Sequence, residues 1–368
     1  MKVPFVDLQS QYFSLKEEID SAIKDVIENS LFIGGGKVRM FEENFAQKYG
    51  VKHCVSVANG TDAIYITLKM LGIGEGDEVI TTAHSWISTS ETISQTGAKP
   101  VFVDVEKEFF TLNPDLIEDK ITSRTKAIIP VHIYGQMCDM DPILFIANKF
   151  GLYVIEDCAQ SHFSEYKGIK AGLFGNAGTF SFYPGKNLGA YGDAGCIITN
   201  SDELAEKTRM FANHGAIRKH EHEMEGINSR LDGIQAAILN VKLRRIKKWT
   251  NERIFNASIY NNQLKDIPEI SIPRVRKDTK HSFHLYVIRV KERNKLKEFL
   301  SHKGISTAIH YPTALPLLPA YEYLGYINSD IVISATNQDQ ILSLPMFPEL
   351  TEEQIVYIVS CIKEFYLL

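Results

Sequence analysis

The feature that most constrains the fold of this chain is the recurrence of short apolar runs, rich in β-branched residues, separated by stretches of helical spacing. The runs are 54–57, 78–82, 100–105, 127–133, 152–157, 179–182 and 196–199. Most of their residues are apolar or β-branched, the composition of strands. Between them lie amphipathic stretches such as 63–71 and 142–149, the latter behind Asp141 as N-cap, with Pro142 at the first helical position. Strand and helix alternating over about 150 residues predict an α/β unit, a mostly parallel sheet covered by helices on both faces.

Such sheets bind ligands at the carboxyl ends of their strands. Two chemically distinctive segments fall there. Asp157, in Glu156-Asp157-Cys158-Ala159-Gln160, ends the run 152–157, and Ser181 opens the small, polar segment Ser181-Phe182-Tyr183-Pro184-Gly185-Lys186-Asn187-Leu188-Gly189-Ala190. A carboxylate at the end of a buried strand is costly without a positive partner. Gly185 and Gly189 let the backbone near Lys186 approach a bulky planar ligand. A lysine able to form a Schiff base and an aspartate able to keep a pyridine ring protonated are what pyridoxal phosphate chemistry needs.

Two further segments suit that cofactor. Asn59-Gly60-Thr61-Asp62-Ala63 follows the run 54–57 and opens a helix, so its amides and the Thr61 hydroxyl can cradle a phosphate. Trp86, one of only two tryptophans, begins a helical pattern just past 78–82, and its ring can stack on a pyridine.

Beyond the sheet, residues 230–264 are helical in character and carry no proline. This long helix is expected to join a large domain, 1–250, to a smaller α+β domain, 251–368. In the smaller unit, 284–290 and 305–309 read as strands, and 293–302 and 352–365 as helices.

Other function classes are disfavoured. A net charge of −5 argues against a nucleic-acid binder, and the one basic run, 242–248, reads as a solvated helix face. The five cysteines are scattered, without a Cys-x-x-Cys pair, as expected of a reduced, cytoplasmic protein. No segment reaches the roughly 20 apolar residues of a membrane span, and the N-terminus has no signal-like stretch. Gly72-Ile73-Gly74-Glu75-Gly76 ends a helix and precedes a strand, the reverse of a dinucleotide loop. His220-Glu221-His222 lacks a third ligand at metal spacing, so it reads as a polar loop and no metal is expected.

These residues resemble the DegT-type, or StrS-type, sugar-nucleotide aminotransferases, members of the fold-type I pyridoxal phosphate enzymes. The resemblance runs from Pro4-Phe5-Val6-Asp7-Leu8 through the Asn59, Asp157 and Lys186 segments to Gly226-Ile227-Asn228-Ser229-Arg230 and Ile309-His310-Tyr311-Pro312. It implies Lys186 as Schiff-base lysine and proton shuttle, Asp157 on the pyridinium nitrogen and Gln160 near the phenolic oxygen. It further implies Gly60, Thr61 and Ser181 on the phosphate, Trp86 against the ring, and Asn228 reaching the phosphate of a neighbouring subunit in an obligatory homodimer. Tyr183, Lys219, His310 and Tyr311 match positions that contact the diphosphate of a nucleotide sugar, as their hydrogen-bonding groups suit.

The implied reaction is transfer of an amino group from L-glutamate to a nucleotide-linked keto sugar. The segment around Lys186 and His284-Leu285-Tyr286-Val287-Ile288-Arg289 look most like members that aminate C3 of dTDP-3-keto-6-deoxyhexoses. Related dehydratases carry histidine where this chain has Lys186. A C4 aminotransferase, including one acting on UDP-linked sugars, is the enzymatic alternative, and a cofactor-binding sensor the non-enzymatic one. Ala314-Leu315-Pro316-Leu317-Leu318 departs from a common Pro-Leu-His-Leu-Gln pattern, so the C4 configuration, gluco or galacto, stays open with a lean to galacto.

Overall fold

The structure, a computed structural model, describes residues 1–367. All seven apolar runs lie on one seven-stranded sheet: β1 (His53–Val57), β2 (Glu78–Thr82), β3 (Lys99–Val103), β4 (Thr125–Ile129), β5 (Tyr153–Asp157), β6 (Ala177–Ser181) and β7 (Gly195–Thr199). Their order across the sheet is β1-β7-β6-β5-β4-β2-β3. The pairs from β6 to β3 are parallel, whereas β7 runs antiparallel to both of its neighbours. A parallel neighbour requires a long crossover, usually helical; the 182–194 connection from β6 to β7 contains none, so the chain turns back. Lys186 is carried on this turn, at the carboxyl end of β6.

Strand ends have local causes. Pro130 lacks the amide that would extend β4, and its carbonyl instead accepts the Asp157 N–H at 3.0 Å. The helix Gly60–Met70 starts at Asn59, whose side chain accepts the Asp62 N–H at 2.8 Å, a cap worth about 1 kcal/mol.

The core of the sheet unit joins buried residues from Leu15 to Trp249, with Phe41, Phe45, Tyr49, Phe180 and Phe182 in edge-on and stacked aromatic contact. A second cluster gathers Ala257 to Ile362 around a three-stranded sheet of Ile270–Ser271, Tyr286–Val290 and Ile341–Leu344, and takes in Val3 from the N-terminus. Residues 314–334 return to the sheet unit. There Leu315 N–H bonds the Ala83 carbonyl (2.8 Å), Tyr321 Oη reaches Ser90 Oγ (2.8 Å), and Asp104 accepts the Ile333 and Ser334 amides (2.7 and 2.9 Å).

Several expectations need correction. The helical stretch 230–264 is two helices, Gly233–Leu243 and Ile246–Leu264, separated at Arg244 and Arg245. The helix expected at Pro142 begins at Met140 with Asp139 as N-cap, and Asp141 pairs instead with Lys167. Residues 305–309 form only isolated bridges at Ile305 and Ala308, because the chain here passes between two partners rather than along one. Within the basic run, Arg244, Arg245, Lys247 and Lys248 are exposed as expected, but Lys242 is fully buried. Its ammonium donates to the Gly189 carbonyl at 2.8 Å and lies 4.2 Å from the centre of the Tyr191 ring. All five cysteines are buried and unpaired. Among the described residues no helix is long and apolar enough to cross a membrane.

Candidate active site

The carboxyl edge of the sheet opens into a cavity of about 750 Å³. Its wall combines the turns after β1 (Asn59, Gly60, Thr61), β2 (Ser85, Trp86), β5 (Asp157, Gln160) and β6 (Ser181, Tyr183, Lys186) with His284 and Ile309 to Pro312 from the second unit. Ten of the twelve residues singled out from the sequence meet here; Lys219 and Asn228 do not.

At the cavity floor Asp157 is 5 % exposed. Thr89 Oγ1 donates to its Oδ2 at 2.8 Å, and the Ala159 amide donates to Oδ1 at 3.1 Å. Ser85 Oγ lies 3.0 Å from Thr89 Oγ1, so Ser85, Thr89 and Asp157 form a chain of hydrogen bonds. Among the described residues no cation forms a salt bridge with this carboxylate. Sequence patterning does not single out Thr89, although hydroxyl residues at 85, 88, 89, 90 and 92, poor formers of a helix interior, mark the segment.

Lys186 is partly buried, and its ammonium has no hydrogen-bonding or salt-bridge partner among the described residues. Burial lowers its pKa from the ordinary lysine value to about 8, with the charge of Asp157 opposing. About a tenth is therefore neutral and nucleophilic at pH 7, and about half at pH 8. Its loop is tightly specified: a Cβ at Gly189 would lie 2.2 Å from the Pro184 carbonyl oxygen. Gly189 is thus required by the loop's own closure, whereas Gly185 faces the cavity.

The third corner is a backbone cradle. A Cβ on Gly60 would stand 2.6 Å from Ser181 Cβ, and one on Gly195 would stand 2.4 Å from the Asn59 carbonyl group. Only glycine at both positions lets the first turn of Gly60–Met70 sit against the ends of β6 and β7, aiming free helix N–H groups at the cavity. Thr61 Oγ1 and Ser88 Oγ, 2.7 Å apart, flank it.

Gln160 spans two walls: its Oε1 accepts the Tyr134 N–H at 2.7 Å, and its Nε2 donates to Tyr311 Oη at 2.9 Å. Tyr134 Oη in turn reaches His84 Nε2 at 2.6 Å and the His310 carbonyl. Burial raises the Tyr311 phenol far above its ordinary value, so it stays protonated. Trp86 and Tyr183 are 58 % and 59 % exposed, which leaves both rings open to a ligand; the Trp86 ring centre is 5.6 Å from that of Tyr311.

Lys219 and Asn228 lie outside the cavity and are exposed. Lys219 is in the turn of a hairpin formed by Ala216–Arg218 and Glu221–His222, and Asn228 forms a bridge with Asn213. The same hairpin holds His220 and His222, where His222 Nδ1 contacts the His214 carbonyl at 2.8 Å. One group of metal-ligating types does come together, His132, Glu156 and Cys158, all buried. Two of the three are already engaged: Glu156 accepts from His132 Nε2 and from the Gly172, Phe174 and Gly175 amides at 2.7–2.9 Å, and His132 Nδ1 accepts the Cys138 N–H. This is a satisfied structural network.

An unpaired nucleophilic lysine, a buried carboxylate without a cation and a glycine-shaped anion cradle fit pyridoxal phosphate on three sides. Comparison with known proteins agrees. The profile of the DegT/DnrJ/EryC1/StrS aminotransferase family matches residues 14–363, and the chain belongs to that family. It is a sugar-nucleotide aminotransferase that uses pyridoxal phosphate.

Among its relatives, a protein of Geobacillus stearothermophilus named "Pleiotropic regulatory protein" is 46 % identical over 100 % of this chain and 99 % of its own length. The dTDP-3-amino-3,6-dideoxy-alpha-D-galactopyranose transaminase of Aneurinibacillus thermoaerophilus is 42 % identical over 99 % of both chains. The crystal structure of DesV of S. venezuelae, in complex with a ketimine intermediate, superimposes with a TM-score of 0.97 at 39 % identity, covering 99 % of this chain and 98 % of that one.

Proposed function

We propose that this protein transfers the amino group of L-glutamate to the C3 keto group of a dTDP-3-keto-6-deoxyhexose, giving a dTDP-3-amino-3,6-dideoxyhexose of galacto configuration. The observation that carries the reading is the cavity itself. From Lys186 and Asp157 it extends past Tyr183 to His310 and Tyr311, leaving hydrogen-bonding groups that a cofactor alone does not use. The A. thermoaerophilus relative, named for this sugar, supports the nucleotide, the carbon and the configuration.

In this reading Gly60, Thr61 and Ser181 hold the cofactor phosphate, Asp157 the ring nitrogen, Gln160 the phenolic oxygen and Trp86 the ring face. Bound there, the cofactor supplies an electron sink for the carbon that loses or gains a proton. Lys186 moves that proton: with its pKa near 8 it can both accept and return it close to neutral pH. Thr89 and the Ala159 amide orient the Asp157 carboxylate. Tyr183, His310 and Tyr311 take the diphosphate. Tyr311 keeps its proton and can donate it in a hydrogen bond.

Lys219 and Asn228, exposed and away from their own chain's cavity, serve the site of a second copy in a homodimer. The unit boundary falls near residue 250, between the two apolar clusters. The test is incubation with L-glutamate and a panel of dTDP-linked 3-keto and 4-keto sugars and their UDP-linked counterparts, with the aminated carbon located by NMR. Nitrogen on C3 of the dTDP sugar is the expected result; nitrogen on C4, or turnover of UDP sugars alone, overturns the assignment.

A further inference from the structure

His284 lines the cavity from the second unit, two residues before the strand Tyr286–Val290, and is not among the residues assigned above to the cofactor. Its hydrogen bonding defines its tautomer. Asn187 is 3 % exposed, and its Nδ2 donates to the Ser282 carbonyl at 3.2 Å, an oxygen that can only accept. Asn187 Oδ1 is therefore turned to His284 Nδ1, 3.2 Å away, so Nδ1 must carry the proton. Nε2 is left as a lone-pair acceptor, with no partner among the described residues. Burial holds the imidazole well below its ordinary pKa, and the nearby charges of Lys186 and Arg253 push in the same direction. The ring stays neutral at physiological pH.

An acceptor in this place discriminates between the two substrates that visit the cavity in turn. The two carboxylates of glutamate are themselves acceptors and have nothing to offer Nε2, and its one donor, the α-amino group, is the group it gives up to the cofactor. A hexose carries hydroxyl donors. His284 shares the cavity wall with Lys186 and bonds the residue next to it, and the Lys186 charge acts on its ring more strongly than His310 does, so the donor it meets is placed on the reacting-carbon side of the cavity. We propose that Nε2 of His284 accepts a hydrogen bond from a sugar hydroxyl beside the carbon that receives nitrogen, making His284 a residue that selects the sugar. The inference rests on the sugar-nucleotide reading above. It also implies rejection of a sugar bearing a carboxylate at this position, since two acceptors would face each other.

The test separates the two half-reactions in the holoenzyme. Loss of one neutral hydrogen bond in His284→Phe should raise the apparent KM for the keto-sugar nucleotide about tenfold. The dissociation constant of the amino-sugar nucleotide product, measured by calorimetry, should rise in parallel. Bleaching of the visible cofactor band by glutamate should stay within about twofold of the parent. His284→Gln, which keeps an acceptor, should recover most of the sugar affinity and guards against misfolding in the first variant. Equal slowing of the glutamate step would mean that His284 only props the Lys186 loop, and unchanged sugar binding in His284→Phe would mean no contact; either overturns the proposal. If the parent enzyme converts a different nucleotide sugar, the substrate assignment fails instead, and the same comparison of half-reactions is read on that sugar.

Discussion

Two regions carry the residues proposed for the site, and they are built differently. The sheet edge gathers turns after four parallel strands into one wall, where Asp157 is buried, Lys186 partly buried and every loop is tied by backbone bonds. The hairpin at 216–222 and the segment through Asn228 stand on the surface, with Lys219 and Asn228 exposed. The first region is complete within one chain. In the reading proposed above the second serves a partner copy, with the chemistry on the rigid scaffold and completion of the site left to the exposed segment.

The sharpest way to break this contrast is to remove the centre of the first region. Lys186→Ala should lower turnover by at least about a thousandfold, since nucleophile and proton shuttle are lost together, and the purified protein should lack the visible absorption of the lysine-bound cofactor. Next is a complementation test of the second region. Asn228→Asp places a carboxylate where a phosphate is expected, and that variant alone should be nearly inactive. Mixing and refolding it with Lys186→Ala chains should restore about a quarter of parent activity, because heterodimers then hold one intact site; no recovery would confine Asn228 to its own chain.

A smaller effect is expected at the cavity floor. Thr89→Val removes a donor to Asp157 and should cost about tenfold in kcat, with a shift in the pH dependence of the visible spectrum that a merely structural loss would not produce.

The pH dependence of the cofactor-free protein follows from Lys186. Its folded pKa of about 8 lies below the unfolded value of roughly 10.4. The folded state therefore disfavours the charged form, a penalty present in full below pH 8 that fades as pH rises toward the unfolded value. Lys186→Met should stabilise the apo-protein most below pH 8 and progressively less above it, as denaturant midpoints across that window would show. In the parent, the rate of pyridoxal phosphate uptake should climb with pH and level off above about 8. The smallest effect is Asn59→Ala, which should lower stability by about 1 kcal/mol through loss of the helix cap, with a modest fall in cofactor affinity.

Much of the first region is legible in the amino-acid sequence. Asp157 can be placed at a strand end because a continuous apolar run ends in charge, and the Asn59 turn can be placed because a strand run passes directly into an amphipathic one. Other parts are not legible. Thr89 and His284 come to the site from elements far along the chain, and nothing in their local spacing says which neighbour they meet. Lys242 belongs to a run whose basic character suggests solvation throughout; folding places only that member of the run over Tyr191 and under the Gly189 carbonyl. The helix break at Arg244 and Arg245 is equally hidden, since no glycine or proline marks it.

Periodicity and the end-of-strand charges were set by the sequence alone, because each reports a local solvation requirement that holds wherever the segment lands, whereas the need for glycine at 60 and 195 comes from close approach to Ser181 and Asn59 far along the chain. The antiparallel return of β7, the Ser85–Thr89–Asp157 chain, the His284 tautomer and the separation of Lys219 and Asn228 from their own cavity were decided only by tertiary structure. Each depends on which distant groups share a hydrogen bond, and that is a property of packing rather than of neighbouring residues.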